Sequence, residues 1–78
     1  MKNRIVQGTI NKRKILGFLE KNYRWYSIFD LVEEFDISYS SVLHHCQDAT
    51  DLGILEETVF YKHNRNRQVS RLHYRYRR

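Results

Sequence analysis

Apolar residues in the first third of the chain recur at the spacing of a single helix face. In the i, i+3, i+4, i+7 pattern the first three positions are the apolar Ile15, Phe18 and Leu19, and Asn22 takes the fourth. Thr9 or Asn11 can supply the N-cap oxygen, so the pattern predicts a helix over residues 9–22. Gly8 is expected to separate this helix from an N-terminal arm of residues 1–8.

Two further amphipathic segments follow in the middle of the chain. Ser27 and Asp30 have the spacing of a capping box, which predicts a second helix over residues 27–36. Ser38 can cap a third helix over residues 38–52, with Gly53 at the position of a C-terminal glycine. The expected core faces are Ile28, Leu31, Val32 and Phe35 on the second helix, and Val42, Cys46 and Ala49, flanked by His45 and Leu52, on the third.

The last third of the chain changes to the two-residue period of strands. "ILEETVFYK" and "QVSRLHYRYRR" flank the polar "HNRNR", whose asparagines tolerate turn geometry, and this predicts a β-hairpin over residues 54–77. Leu72, Tyr74 and Tyr76 would share one face, and Arg71, His73, Arg75 and Arg77 the other. With a short extended segment at "YRWYS", the sequence predicts a single α+β domain of three helices, a short strand and a C-terminal hairpin.

Composition narrows the classes of function. The chain has 78 residues and one cysteine, so it has little volume for a substrate pocket and no intramolecular disulfide. It has no apolar run of about 18 residues and no secretory signal core, so we expect no membrane partner and a cytoplasmic location, in the host cytoplasm if the protein is viral. No spacing of Ser, His and Asp indicates an activated nucleophile, so we expect no enzyme, no cofactor and no small-molecule substrate.

Charge is divided into three blocks along the chain. Residues 1–26 contain seven Lys and Arg against one acid, residues 27–57 contain eight acids and no Lys or Arg, and residues 58–78 contain seven Lys and Arg and no acid. The net charge is +5. Two basic ends around an acidic middle favour a polyanionic partner that is held by the ends.

Residues 27–57, "SIFDLVEEFDISYSSVLHHCQDATDLGILEE", resemble the helix-turn-helix of winged-helix transcriptional regulators such as the MarR and ArsR groups. The likeness covers about residues 9–77 and includes the hairpin as the wing. Three features depart from the family pattern: the third helix has no Arg or Lys, the wing has no glycine, and no long dimerisation helix follows it. The matching positions are Ile37, Ser38, Val42, Leu52, Gly53 and Ile54.

The resemblance implies a winged helix-turn-helix that binds double-stranded DNA, with the third helix in the major groove and the wing on the backbone or in the minor groove. The base-reading residues would be Tyr39, Ser40, Ser41, Leu43, His44 and Gln47. The backbone contacts would come from Lys12, Arg13, Lys14 and Arg24 on one side and from Lys62, Arg65, Arg67, Arg71 and Arg75 on the other. Neutralising about five to seven phosphates gives a slope of log K against log salt of roughly −5 to −6.

A domain of this size reads few base pairs, so we expect a homodimer, joined through Ile5 and Val6 or through exposed aromatic residues. The expected function is sequence-specific transcriptional regulation in a prokaryote or its virus. In a twofold dimer the half-sites would lie about 34–36 Å apart.

Three alternatives compete with DNA binding. His44, His45 and Cys46 offer metal ligands, but successive helix positions diverge by about 100°, so we predict no metal site. The acidic middle of the chain is also consistent with a winged-helix module that binds a protein. The tyrosines and cations of the hairpin are consistent with stacking on single-stranded RNA bases.

Overall fold

The computed structural model describes residues 2–65 and 67–78, and the side chains of residues 8–62, 65 and 67–78. These residues form a small α+β domain of three helices and a three-stranded antiparallel sheet. No helix in the described part is long and apolar enough to cross a membrane. The elements are α1 (Lys2–Lys21), β1 (Tyr26–Ser27), α2 (Ile28–Phe35), α3 (Tyr39–Asp51), β2 (Leu55–Asn64) and β3 (Arg67–Tyr76).

The first helix is longer than the sequence pattern predicted. α1 already begins at Lys2, so the prediction of a separate arm over residues 1–8 and a helix start at residue 9 was wrong. Gly8 lies inside the helix, where glycine is less favourable than alanine by about 1 kcal/mol, and this single penalty does not end a helix of 20 residues. The side chains of Ile5 and Val6, the expected dimer contact, lie outside the described residues.

The second helix begins with the capping box that the sequence predicted. The Ser27 Oγ accepts a hydrogen bond from the Asp30 backbone N–H at 3.1 Å, and the Asp30 carboxylate accepts one from the Ser27 N–H at 3.0 Å. At its C-terminus Asp36 adopts a left-handed conformation with φ 54°, which aspartate tolerates better than most residues. Only residues 36–38 separate α2 from α3, so the two helices are joined by a tight turn.

The third helix has the caps that its sequence indicated. The Ser38 Oγ accepts from the Ser41 N–H at 3.3 Å, and Gly53 has the left-handed φ of 80°. After Asp51, the Gly53 N–H donates to the Thr50 carbonyl at 3.0 Å and the Ile54 N–H to the Ala49 carbonyl at 2.9 Å. These two bonds form a Schellman motif, which ends α3 and turns the chain directly into β2.

The sheet has the strand order β1-β3-β2. β2 and β3 pair along their full length, from Leu55 with Tyr76 to Asn64 with Arg67. β1 adds only two pairs on the other side of β3. At the hairpin loop it is Arg65 that adopts a left-handed conformation, with φ 57°. Asn64 is paired within β2, and Asn66 lies outside the described residues.

The core lies between the helices and one face of the sheet. The predicted buried face of α3 is confirmed, but Leu52 is 64% exposed and does not flank it. Tyr74 of β3 is fully buried in the core, and its hydroxyl donates to the Glu57 carboxylate of β2 at 2.6 Å. Burial and this hydrogen bond raise the pKa of Tyr74. The buried apolar residues are Ile15, Leu19, Tyr26, Ile28, Leu31, Val42, Cys46, Ala49, Leu55 and Tyr74.

Candidate nucleic-acid interface

The outer face of α3 is polar and carries no cation. Because Val42, Cys46 and Ala49 point into the core, the opposite side of the helix is left to solvent. Four exposed residues form one stripe along that side at helical spacing: Ser40, His44, Gln47 and Asp51. The first three can form hydrogen bonds with base edges, whereas Asp51 places a negative charge at the C-terminal end of the stripe.

The other predicted base-reading residues differ in exposure. Tyr39 is 43% exposed at the start of α3, where its ring lies 5.0 Å from that of Phe29. Ser41 is half-buried, and its Oγ accepts a hydrogen bond from the Ser38 hydroxyl at 2.9 Å. Leu43 is half-buried and packs against the core, which favours packing over a base contact.

Gln47 lies in an acidic environment. Together with Thr50, Asp51 and Glu57 it lines a shallow depression at the junction of α3 and β2. A phosphate would be repelled from two neighbouring carboxylates, whereas a base edge that donates hydrogen bonds would be tolerated. The N-terminal half of the stripe is therefore better suited to approach DNA closely than the C-terminal half.

Lys12, a predicted backbone contact, is paired within the protein. Its ammonium donates to the Asp48 carboxylate at 2.8 Å, which links α1 to α3. This hydrogen bond and the positive charge of Lys12 hold the pKa of Asp48 below its ordinary value. A phosphate would compete with Asp48 for the charge of this ammonium, so Lys12 is less available to DNA than a cation without an ion pair.

Arg75 is the most strongly engaged cation of the predicted set. Its Nη2 and Nε lie 2.6 and 2.7 Å from one oxygen of Glu56, the residue opposite it in the sheet. The guanidinium also lies over two rings, 4.3 Å from the centroid of Trp25 and 4.7 Å from that of Tyr23. These contacts offset its charge and hold it against the sheet, so Arg75 is less available to a DNA phosphate than an exposed cation.

Further aromatic contacts extend this arrangement over the face of the sheet that points away from the core. The centroid of the Phe60 ring lies 4.5 Å from that of the His73 ring and 6.1 Å from that of the Trp25 ring. The outer-face cluster is defined here as Tyr23, Trp25, Glu56, Phe60, His73 and Arg75. It was not predicted from the sequence, although the alternation in β3 had placed His73 and Arg75 on one face.

Two more predicted backbone cations lie against aromatic rings. The Arg24 guanidinium is 4.9 Å from the centroid of Tyr26, in a depression that it shares with three acids of α2. The Arg71 guanidinium is 4.6 Å from the centroid of Phe29. Phe29 was not predicted as a site residue. It lies outside the apolar stripe of α2, and this position could have indicated that its ring would be exposed.

Five of the nine predicted backbone cations are exposed and have neither an ion pair nor an aromatic ring contact among the described residues. Arg13 and Lys14 lie on α1. The other three lie near the hairpin loop and are called the tip cations: Lys62, Arg65 and Arg67. A cation without a partner in the protein is free to bind a phosphate without losing an internal contact.

His44 and Cys46 lie on different sides of α3: Cys46 is fully buried in the core, whereas His44 is exposed. The rings of His44 and His45 are 6.1 Å apart, and burial of Cys46 raises the pKa of its thiol to about 12. Burial, with the neighbouring charges of His44 and Lys12, lowers the pKa of His45. No group of three metal-ligating side chains occurs in the described part of the chain. The side chain of His63 does not belong to that part.

Comparison with known proteins does not place the chain in a family. No protein-family model matches the sequence, and no curated protein matches it significantly.

Proposed function

We propose that this protein is a small winged-helix domain that binds double-stranded DNA and acts as a transcriptional regulator of a prokaryote or its virus. α3 is the recognition helix and the β2–β3 hairpin is the wing. The proposal rests on one combination of surfaces: a cation-free polar stripe on α3, which follows a three-residue turn, and a long hairpin with exposed tip cations. Such a helix can discriminate bases while the hairpin supplies attraction to phosphates.

The proposed base contacts lie mainly in the first two turns of α3. Ser40 and His44 lie away from Asp51 and Glu57, and Tyr39 can reach a thymine methyl group. Gln47 can form hydrogen bonds with an adenine edge, but only where the phosphate backbone of the DNA lies away from the carboxylates of Asp51 and Glu57. We assign Ser41 and Leu43 to the support of the helix and not to base contacts.

The proposed phosphate contacts are fewer than the sequence suggested. Arg13, Lys14 and the tip cations supply five exposed charges, and Arg71 joins them if it leaves Phe29. For about five phosphates the slope of log K against log salt becomes roughly −4 to −5. Lys12, Arg24 and Arg75 are assigned to internal contacts.

Selection of duplexes from a random pool, repeated at two salt concentrations, tests the proposal. We expect one enriched motif, tighter binding to duplex than to single strands of the same sequence, and the salt slope given above. A twofold-symmetric motif would support the proposed homodimer, with half-sites about 34–36 Å apart. Equal binding to all sequences and to single strands would overturn the proposal in favour of the RNA-binding alternative.

A second function is favoured by the acids of α2. Asp30, Glu33 and Glu34 are exposed and line one depression. This surface suits a basic protein partner, as in winged-helix modules that bind proteins. The two functions differ in their need for the tip cations, which a module docking through α2 does not use.

A further inference from the structure

An open groove of about 480 Å³ runs between the helices and the hairpin. The N-terminal ends of α2 and α3 form one wall, and β3 together with Val59 of β2 forms the other. Both walls include apolar side chains, and among the described residues that line the groove Arg71 is the only charged one. The lining residues are Ile28, Phe29, Tyr39, Val59, Val69, Ser70, Arg71 and Leu72.

The same region contains an unpaired strand edge. β1 pairs with His73 and Tyr74 of β3, and the chain then leaves the sheet at Ile28 to enter α2. Residues 67–72 of β3 therefore have a strand neighbour only on the β2 side within the described chain. On an open edge, alternate residues present a backbone N–H and a C=O that another strand can bind.

Exposed aromatic residues lie beside this edge. Phe29 is 51% exposed and Tyr39 is 43% exposed, although their ring centroids are only 5.0 Å apart. The Arg71 guanidinium, 4.6 Å from the Phe29 centroid, completes the wall nearest to β3. A strand added at residues 67–72 would cover these rings with alternate side chains.

We propose that an extended acidic peptide of a partner protein docks here as a fourth strand, antiparallel to β3 and in line with β1. Its backbone pairs with residues 67–72, and its apolar side chains enter the groove. Each side chain that points into the groove is followed by one that points away, so the peptide alternates apolar and acidic residues.

Charge decides the nature of the occupant. Residues 58–78 contain seven Lys and Arg and no acid, and Arg67 and Arg71 lie on the docking strand itself. A second copy paired through the same edge would bring two such basic strands together, which like-charge repulsion disfavours. The outward carboxylates of an acidic peptide can pair with Arg67, which does not line the groove, and with Arg71 once its guanidinium swings out from Phe29.

The docking strand overlaps the DNA surface described above. Tyr39, Arg67 and Arg71 would contact both the peptide and a duplex, so the two ligands should compete. This competition rests on the proposed function, whereas the docking of the peptide does not.

The test uses a synthetic peptide of about ten residues that alternates Glu with Val or Phe. Mixed with the isotopically labelled protein, it should slow hydrogen exchange of alternate amides in residues 67–72 at least tenfold. The same peptide with N-methyl groups on alternate backbone nitrogens, which cannot donate to β3, should bind at least tenfold more weakly. The F29A variant should bind the peptide about fivefold to tenfold more weakly. The control is L52A, because Leu52 is exposed at the C-terminal end of α3 and does not line the groove, and this variant should bind the peptide normally.

Three results would overturn the inference. The first is equal binding of the N-methylated peptide, and the second is unchanged amide exchange in residues 67–72 when the peptide is bound. The third is protection of these amides at high protein concentration without peptide, which would make a second copy the occupant. Duplex binding is measured separately without peptide, so loss of DNA binding alone would refute the proposed function and leave the peptide site standing.

Discussion

Arg75 and the tip cations belong to the same hairpin, but their surroundings differ completely. Arg75 lies near the base of the sheet, between two rings and within 2.7 Å of Glu56. Lys62, Arg65 and Arg67 lie at the other end of the hairpin, exposed and without an ion pair among the described residues. One end of the hairpin uses its charge to hold the fold, and the other end leaves its charge available to a partner.

The difference shows that charge along a strand does not by itself define a binding surface. The hairpin runs from an acidic base, with Glu56 and Glu57, to a basic tip. A cation near the base finds a carboxylate across the sheet, whereas the tip cations have no ion pair with a carboxylate among the described residues. Position along the hairpin therefore separates structural arginines from those able to bind DNA.

The largest expected effect is on DNA affinity at the tip. Replacing Arg65 and Arg67 together by alanine should weaken duplex binding about tenfold to a hundredfold at low salt, because two phosphate contacts are lost. The salt slope should become less steep by about 2, and the free energy of unfolding should change by less than about 0.5 kcal/mol. Fluorescence anisotropy at several salt concentrations and thermal unfolding measure these quantities.

The double lysine variant, R65K with R67K, is the matched control, because it retains both charges. It should bind the duplex nearly as well as the natural protein. If the double alanine variant bound duplex DNA normally, the wing would have no part in the mechanism, and the protein-binding function of α2 would be favoured.

The next effect is on stability at the base of the hairpin. R75A removes a charge-assisted hydrogen bond and two cation–π contacts, so the free energy of unfolding should fall by about 1–2 kcal/mol. For a domain of this size that lowers Tm by roughly 5–10 °C, as measured by circular dichroism. Duplex affinity should change less than about twofold, because Arg75 is already engaged.

R77A is the appropriate control for this variant, since Arg77 is exposed and its removal changes the net charge equally. Its Tm should stay close to that of the natural protein. A large loss of DNA affinity in R75A with little loss of stability would erase the distinction between the two ends of the hairpin.

The smallest effect concerns Lys12, an engaged cation of α1 next to the exposed Arg13 and Lys14. Because the pair with Lys12 lowers the pKa of Asp48 in the folded protein, its stabilising effect is present above the ordinary aspartate pKa and is lost as the pH falls through the lowered value. K12M should therefore have a slightly lower Tm than the natural protein at pH 7. The gap should close in strong acid.

K14M removes the same charge from an exposed position of α1 and serves as the comparison. It should have a Tm close to that of the natural protein across the whole pH range. A gap for K12M that persists unchanged in acid would mean that packing of its methylene chain, and not the ion pair, is responsible.

Local rules predicted much of the fold. The Ser27 and Ser38 caps, the left-handed Gly53 and the buried face of α3 all follow from residues within a few positions of one another. Gly8 misled the prediction because helix propensity is a weak preference that the rest of a long helix can override. The limits of α1 therefore could not be read from one glycine.

The surface was harder to predict because its partners are distant in sequence. Lys12 and Asp48 are 36 positions apart, and Arg75 and Glu56 are 19 apart. Only the strand register brings Glu56 opposite Arg75, and that register depends on where the hairpin turns. Sequence reasoning could count the cations correctly but could not tell which of them were already paired.

The single cysteine gives this protein a built-in reporter of opening. Cys46 is fully buried on the inner side of α3, and burial raises the pKa of its thiol to about 12, so at neutral pH it is both protonated and shielded from reagents. It can be alkylated only when α3 separates from the sheet. A second cysteine engineered on the surface could thus be labelled selectively with a fluorophore. The rate at which Cys46 is modified would then report how often α3 separates from the sheet.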